Sequence, residues 1–180
     1  LYLSFYTVHT PIQAKQDYIA KYKSKLTKAP DALSPDFIPE RQSRAKQIQD
    51  RPDYAGMVQS LDEAVGRVQD TLAELNLAEN TIIILMSDNG GLSTLPGRRN
   101  APTANVPLRA GKGWLYEGGI RVPMIIKWLG VTKPDAKCDV PVISTDFYPT
   151  ILEMADLPLK PKQHVDGVSL VPLLKGRRSL

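Results

Sequence analysis

Cysteine occurs once in the 180 residues, at Cys138, so no internal disulfide can form and the redox compartment stays open. No Asn-x-Ser/Thr sequon is present, which leans against a glycosylated secreted eukaryotic protein. No apolar run approaches the ~20 residues of a bilayer-crossing helix, so no membrane span is expected. Basic residues are scattered and lack interleaved aromatics, which argues against nucleic acid as a partner. The net charge of +4 suits an anionic partner but is too small to select one. An initiator Met is also missing, and Leu1-Tyr-Leu-Ser-Phe-Tyr6 already reads as a buried strand. The chain is therefore expected to be one piece of a longer protein.

What is present centres on Thr81-Ile-Ile-Ile-Leu-Met-Ser-Asp88-Asn89-Gly90-Gly91. Such an apolar, β-branched run bounded by turn residues predicts a strand buried on both faces of a sheet. Its carboxyl end is where open α/β sheets place ligands. Asp88 and Asn89 offer a carboxylate and an amide oxygen there, the donors a hard cation takes. Both residue types also open ordinary loops, and the strand alone does not separate the two readings.

Around this stretch the chain alternates helices and strands. Tyr18, Ile19, Tyr22 and Leu26 recur at helical spacing over residues 17–28, among five lysines between positions 15 and 28. Prolines at 30, 35, 39 and 52 break the next segment into a surface excursion, with one short helix expected from Ser43. Tyr54, Met57, Val58, Leu61, Val65, Val68, Leu72 and Leu75 then lay an apolar stripe over roughly six helical turns. That helix is expected to pack on a sheet, capped by Asp53. Beyond the central strand lies a loop over residues 92–107 that carries Arg98 and Arg99. It leads to Leu108-Arg109-Ala-Gly111-Lys112-Gly113-Trp-Leu-Tyr116-Glu117-Gly118-Gly119-Ile-Arg121-Val-Pro123. Lys112 does not belong to a P-loop, because position 106 is Val and no Ser/Thr follows. Flanked by glycines, it can still approach an anion closely as a point charge. Residues 122–128 predict a strand and 140–145 a short extended piece. Asp146 is expected to cap a helix to about Ala155, and residues 166–176 to form a turn with an apolar anchor.

Taken in order, six segments resemble the type I sulfatases of the alkaline-phosphatase-like superfamily. They are Tyr2-Leu-Ser-Phe-Tyr-Thr-Val-His9-Thr-Pro11; Leu61-Asp62 with Val65-Gly66-Arg67; Ser87-Asp88-Asn89-Gly90; Leu108 to Lys112 with Tyr116 to Pro123; Thr145-Asp146 with Pro149-Thr150; and Asp166-Gly167. The resemblance implies an α/β fold, a mixed, largely parallel sheet sandwiched by helices, present here as a partial domain. It implies that residues 1–176 are the later part of a catalytic domain and that 177–180 begin a link to a further subdomain.

The resemblance also assigns roles. Asp88 and Asn89 look like two ligands of one calcium ion, and Lys112 and His9 like the residues that hold the sulfate and its bridging oxygen. Arg121 is expected to pair locally. The nucleophile of this family is a formylglycine made from Cys or Ser in a Cys/Ser-x-Pro/Ala-x-Arg motif. Cys138, in Lys-Cys-Asp-Val-Pro, does not match it, so the motif is expected upstream and the chain alone to be inactive. The implied substrate is a sulfated small molecule or polysaccharide, and the implied location the periplasm or exterior of a bacterium. A phosphatase or phosphodiesterase of the same superfamily would more often carry His at position 89, serving a transition metal. A non-catalytic, anion-capturing family member is the other alternative.

Overall fold

The computed structural model describes residues 1–26, 36–97, 100–163 and 166–177. Pro30 and Pro35, Arg98 and Arg99, and the last three residues of the expected link lie outside the described residues. The chain divides into two units, Leu1–Asn80 with Leu85–Ile125, and Thr81–Ile84 with Ile126–Leu180.

The opening run does not behave as its composition predicts. Residues 1–6 form no strand and are exposed, with Leu1, Tyr2 and Tyr6 the most so. A strand is buried by its neighbours, and no described residue pairs with this one. Helix α1 follows (Gln16–Leu26), and its lysines reach solvent as expected. Strands β1 (Phe37–Glu40) and β2 (Ser43–Lys46) form an antiparallel hairpin with Glu40 opposite Ser43, turning through Arg41 at φ +52°. Ser43 thus begins a strand instead of the expected helix. Pro39 is tolerated because β1 is an edge that pairs with β2 alone.

Helix α2 (Pro52–Glu74) is the long helix that the apolar stripe predicted. Pro52 occupies its first turn, where a missing N–H costs nothing. Asp53 acts from inside that turn, accepting from the Tyr54 N–H at 2.8 Å and pairing with Arg51, so Arg51 takes the cap position expected of Asp53. Asn76, at φ +57°, ends the helix, and the Leu77 N–H returns to the Leu72 carbonyl at 2.8 Å. The principal neighbour of α2 is α1, not the expected sheet. Across that pair the Tyr18 hydroxyl donates to Glu63 at 2.5 Å and Lys21 to Gln59 at 2.9 Å.

Strand β3 (Ile83–Met86) realises the central run, half-buried instead of fully buried. Strand β4 (Thr94–Pro96) adds antiparallel to β2, giving a three-stranded sheet of order β1-β2-β4. A single helical turn, α3 (Glu117–Ile120), precedes β5 (Met124–Lys127), which pairs with β3 in a two-stranded sheet. Arg121 pairs locally as expected, with Glu117 at 3.4 Å, both side chains in solvent.

In the second unit, residues 140–143 form no strand, and a 3-10 turn covers Ser144–Asp146 before α4 (Phe147–Met154). Asp146 stands at the N-cap position of α4 as expected, but its side chain makes no cap hydrogen bond there. Its buried carboxylate instead accepts from the Ile143 N–H at 2.9 Å and the Val168 N–H at 3.0 Å, tying two segments together. Thr150 continues this link, donating to the Asp146 carbonyl at 2.6 Å and accepting from Leu170 N–H at 2.8 Å. The apolar anchor is α5 (Val171–Leu174), with Leu170, Val171 and Leu173 buried.

Candidate functional site

Of the predicted site residues, Asp88, Asn89 and Lys112 lie on two backbone segments of the first unit, the turn after β3 and the loop before α3. The turn is closed by Ser87, whose hydroxyl donates to the Asn89 carbonyl at 2.7 Å. Asp88 is exposed and Asn89 half-buried, and neither side chain has a hydrogen-bond partner among the described residues. Both oxygens are therefore available to a ligand.

The two segments approach so closely that only glycine fits. A Cβ on Gly90 would lie 1.8 Å from the Gly118 carbonyl oxygen, and one on Gly118 would lie 2.1 Å from that of Ala110. The gain is backbone bonding, with Gly90 N–H donating across the gap to Gly119 at 2.9 Å and Gly118 N–H folding α3 back onto Arg109 of its own loop at 2.8 Å. Lys112 N–H donates to the Gly91 carbonyl at 3.0 Å. That bond ties the backbone of Lys112 two residues beyond Asn89. Its half-buried side chain makes no hydrogen bond or ion pair among the described residues.

A side chain that sequence reasoning passed over holds this arrangement together. Asn105 Nδ2 faces four acceptors, the Gly91 carbonyl at 2.8 Å, Ser93 Oγ at 3.0 Å, and the carbonyls of Ala110 at 3.0 Å and Gly118 at 3.1 Å. Ser93, nearly inaccessible, adds a donor to the Ala110 carbonyl at 2.8 Å. The only signal in the sequence was an Asn inside a Pro-rich loop, which read as turn chemistry.

A second missed element is Arg109. Its Nε and Nη2 both donate to the buried Glu40 carboxylate at 2.8 Å, a fork that joins the loop to the β1–β2 hairpin. The Arg109 guanidinium holds the Glu40 carboxyl below its usual range, and Glu40 in turn raises Arg109.

His9 stands apart from this bonding. It is exposed, its ring tilts against Tyr6 at 5.1 Å, and its Nδ1 lies 2.9 Å from the Thr10 carbonyl. A carbonyl only accepts, so Nδ1 carries the hydrogen, and in the neutral ring Nε2 is the unprotonated nitrogen.

The family model described as Sulfatase matches residues 1–157. The chain belongs to the sulfatase family. It is 39% identical to a sulfatase of Formosa agariphila over 97% of this chain and 29% of that protein. It superposes on the crystal structure of Ps i-CgsB with a TM-score of 0.72 and 33% identity, over 96% of this chain and 32% of that one. It also superposes on Ps i-CgsB in complex with k-i-k-neocarrahexaose, with a TM-score of 0.69 over 92% of this chain and 31% of that one. The chain thus spans about a third of the length of the sulfatases it matches. The likeness settles the fold class as α/β of the alkaline-phosphatase-like kind, a partial domain.

Sulfatase membership brings a calcium ion into consideration, and the donors can be tested against it. A carboxylate and an amide oxygen, both unbonded, fit a hard cation in kind. They are two of the roughly six to eight oxygens such an ion takes. Among the described residues no group of three or more His, Cys, Asp or Glu is arranged to hold a metal. No described helix is long and apolar enough to cross a membrane.

Proposed function

We propose that the protein containing this chain hydrolyses sulfate esters of sugars, and that residues 1–176 are the later part of its catalytic domain, supplying some of the residues that hold calcium and sulfate. The observation that carries the reading is the Lys112 N–H bond to the Gly91 carbonyl. It bonds the backbone of Lys112, whose side chain has no partner among the described residues, to the segment that carries Asp88 and Asn89. A cation beside two cation ligands makes sense around an anion that both contact. Sugars are favoured over aryl sulfates because a related structure, 33% identical, is that of a complex with k-i-k-neocarrahexaose.

In this reading Asp88 and Asn89 would hold one calcium ion, and the chemistry such an ion would supply is charge withdrawal from a bound sulfate and a more acidic hydroxyl on the nucleophile. The formylglycine nucleophile is contributed by a segment other than this one. Lys112 stabilises charge growing on the ester oxygen as the S–O bond breaks. His9 serves that oxygen as an imidazolium: it gives the Nε2 proton to the departing ester oxygen, and the neutral ring left behind keeps its Nδ1–H on the Thr10 carbonyl. The protein is placed in the periplasm or outside a bacterium, where sulfated polysaccharides occur.

The test is steady-state kinetics of the full-length protein on sulfated oligosaccharides and nitrophenyl sulfate, with bound calcium measured. Asp88→Ala should abolish turnover and calcium binding. Lys112→Ala should lower kcat by about 10²-fold or more, with a smaller rise in KM and calcium retained. Turnover of phosphate esters in place of sulfate esters, or full calcium affinity in Asp88→Ala, would overturn the reading.

A further inference from the structure

The loop that carries Lys112 continues directly into two aromatic residues that the proposed chemistry leaves unused. The rings of Trp114 and Tyr116 stack at 6.2 Å between centroids with planes 17° apart, while Leu115 between them is almost wholly in solvent. Tyr116 is clamped. The Arg109 guanidinium lies 3.9 Å over its ring and is itself held by Glu40, and Arg41 Nη2 donates to its hydroxyl at 3.0 Å. The stack is therefore built on a braced base, and Trp114 is its outer, half-buried member.

At this place one group lacks a partner and another has donors to spare. The Trp114 indole N–H makes no hydrogen bond among the described residues, although an indole N–H commonly finds a partner once shielded from water. Arg41, exposed at the tip of the β1–β2 hairpin, makes no ion pair among the described residues. Glu40 beside it is engaged bidentately by Arg109. A rigid aromatic face with a free donor, next to an exposed guanidinium that spends one donor on the Tyr116 hydroxyl, suits a ligand with an apolar ring face, hydroxyl acceptors and oxyanions. A sulfated sugar has all three. Its C–H face covers an indole, its hydroxyls accept from N–H, and its sulfate matches the guanidinium fork.

We propose that Trp114 and Arg41 form a subsite for a sugar residue flanking the one under cleavage. Trp114 stacks on that sugar and Arg41 binds its sulfate group. The subsite lies two residues along the loop from Lys112, within about 7 Å of backbone. It therefore receives the neighbouring unit of a chain whose cleaved ester sits at Lys112. This inference rests on the sulfate-ester reading and narrows its substrate to a sulfated oligosaccharide or polysaccharide. The bracing of the stack before any ligand arrives reduces the ordering cost of binding.

The experiment uses the full-length protein and has a kinetic and a binding arm. In the first, kcat/KM is compared between a sulfated carrageenan hexasaccharide and nitrophenyl sulfate for Trp114→Ala and Arg41→Ala. The loss should be at least about tenfold greater on the hexasaccharide, the scale of deleting a buried aromatic or arginine anchor. Trp114→Phe, which keeps a ring, should recover most of it. In the second arm, calorimetry measures binding of the hexasaccharide, its desulfated counterpart and a single-stranded oligonucleotide. Trp114→Ala should weaken both glycans, and Arg41→Ala only the sulfated one. Equal losses on the two substrates, glycan affinity indifferent to Trp114, or preference for the oligonucleotide would overturn the subsite. Glycan binding through Trp114 by a protein that cleaves no sulfate ester would sink the hydrolase reading and leave the subsite standing.

Discussion

Removing the Asn105 amide is expected to loosen the candidate site without touching any residue that would meet substrate. Its Nδ2 has two hydrogens and four acceptors between 2.8 and 3.1 Å, so about two full bonds are shared among them. Each bond contributes roughly 0.5–1.5 kcal/mol net, and acceptors left unpaired away from water cost more. Ser93, Ala110 and Gly118 are all buried, so little water can replace the amide. Asn105→Ala should therefore cost about 2–3 kcal/mol of local stability. The assay is native-state hydrogen exchange in the full-length protein, read at the Lys112 and Gly118 amides that bond to Gly91 and Arg109. Their exchange should accelerate by roughly 30- to 150-fold, at about tenfold per 1.4 kcal/mol, while amides within α2 are unchanged. Asn105→Asp, which turns an acceptor toward four acceptors, should be worse than Ala. Unaltered protection at both amides in Asn105→Ala would refute the claim that this side chain holds the loop to the strand end.

Gly118→Ala should prevent α3 from folding back onto its own loop, since its Cβ would meet the carbonyl oxygens of Ala110 and Arg109 at 2.1 and 2.4 Å. Gly66→Ala in α2, where a Cβ meets nothing within 4 Å, should stabilise by about 0.5–1 kcal/mol in denaturant titration. A loss there instead would show that another part of the protein covers that face. Glu40 predicts a pH effect. Its folded pKa is lowered by the Arg109 hydrogen bonds, so its contribution is fully present above the ordinary carboxylate range and is lost as pH falls through the depressed folded value. The stability gap between wild type and Glu40→Gln should accordingly be constant from neutrality down to about pH 5 and close only at lower pH, checked by denaturation at a series of pH values.

Several elements were legible because local signals determine them. The stripe from Tyr54 to Leu75 became α2, and the run before Asp88 became β3, since periodicity and β-branching express themselves wherever the chain is placed. Degree of burial was not legible. Residues 1–6 have the composition of a buried strand yet lie in solvent, because burial belongs to a strand and its neighbours together. Ser43-Arg-Ala-Lys46 carries helix-forming residues, but the turn at Arg41 returns it between β1 and β4, and pairing on both edges outweighs propensity.

The site divides along the same line. Asp88, Asn89 and Lys112 announce themselves by residue type beside glycines, because a ligand-facing group must sit where backbone can come close. Asn105 and the Arg109–Glu40 fork do not. Their partners are 5 to 14 residues away for Asn105 and 69 away for Arg109, and the chemistry of each is ordinary until the fold supplies the other half. The two classes depend on each other. The Asp88 and Asn89 oxygens and the Lys112 cation, all without partners among the described residues, gain nothing from their own packing, so their positions must be maintained by groups that do. Here those groups are a braced guanidinium, one shared amide and glycines too tightly apposed to admit a methyl group. A site of this construction should tolerate loss of a supporting bond with a graded fall in order, and loss of Lys112 with intact order but little turnover. Exchange protection and kcat, measured on the same variants, separate the two roles.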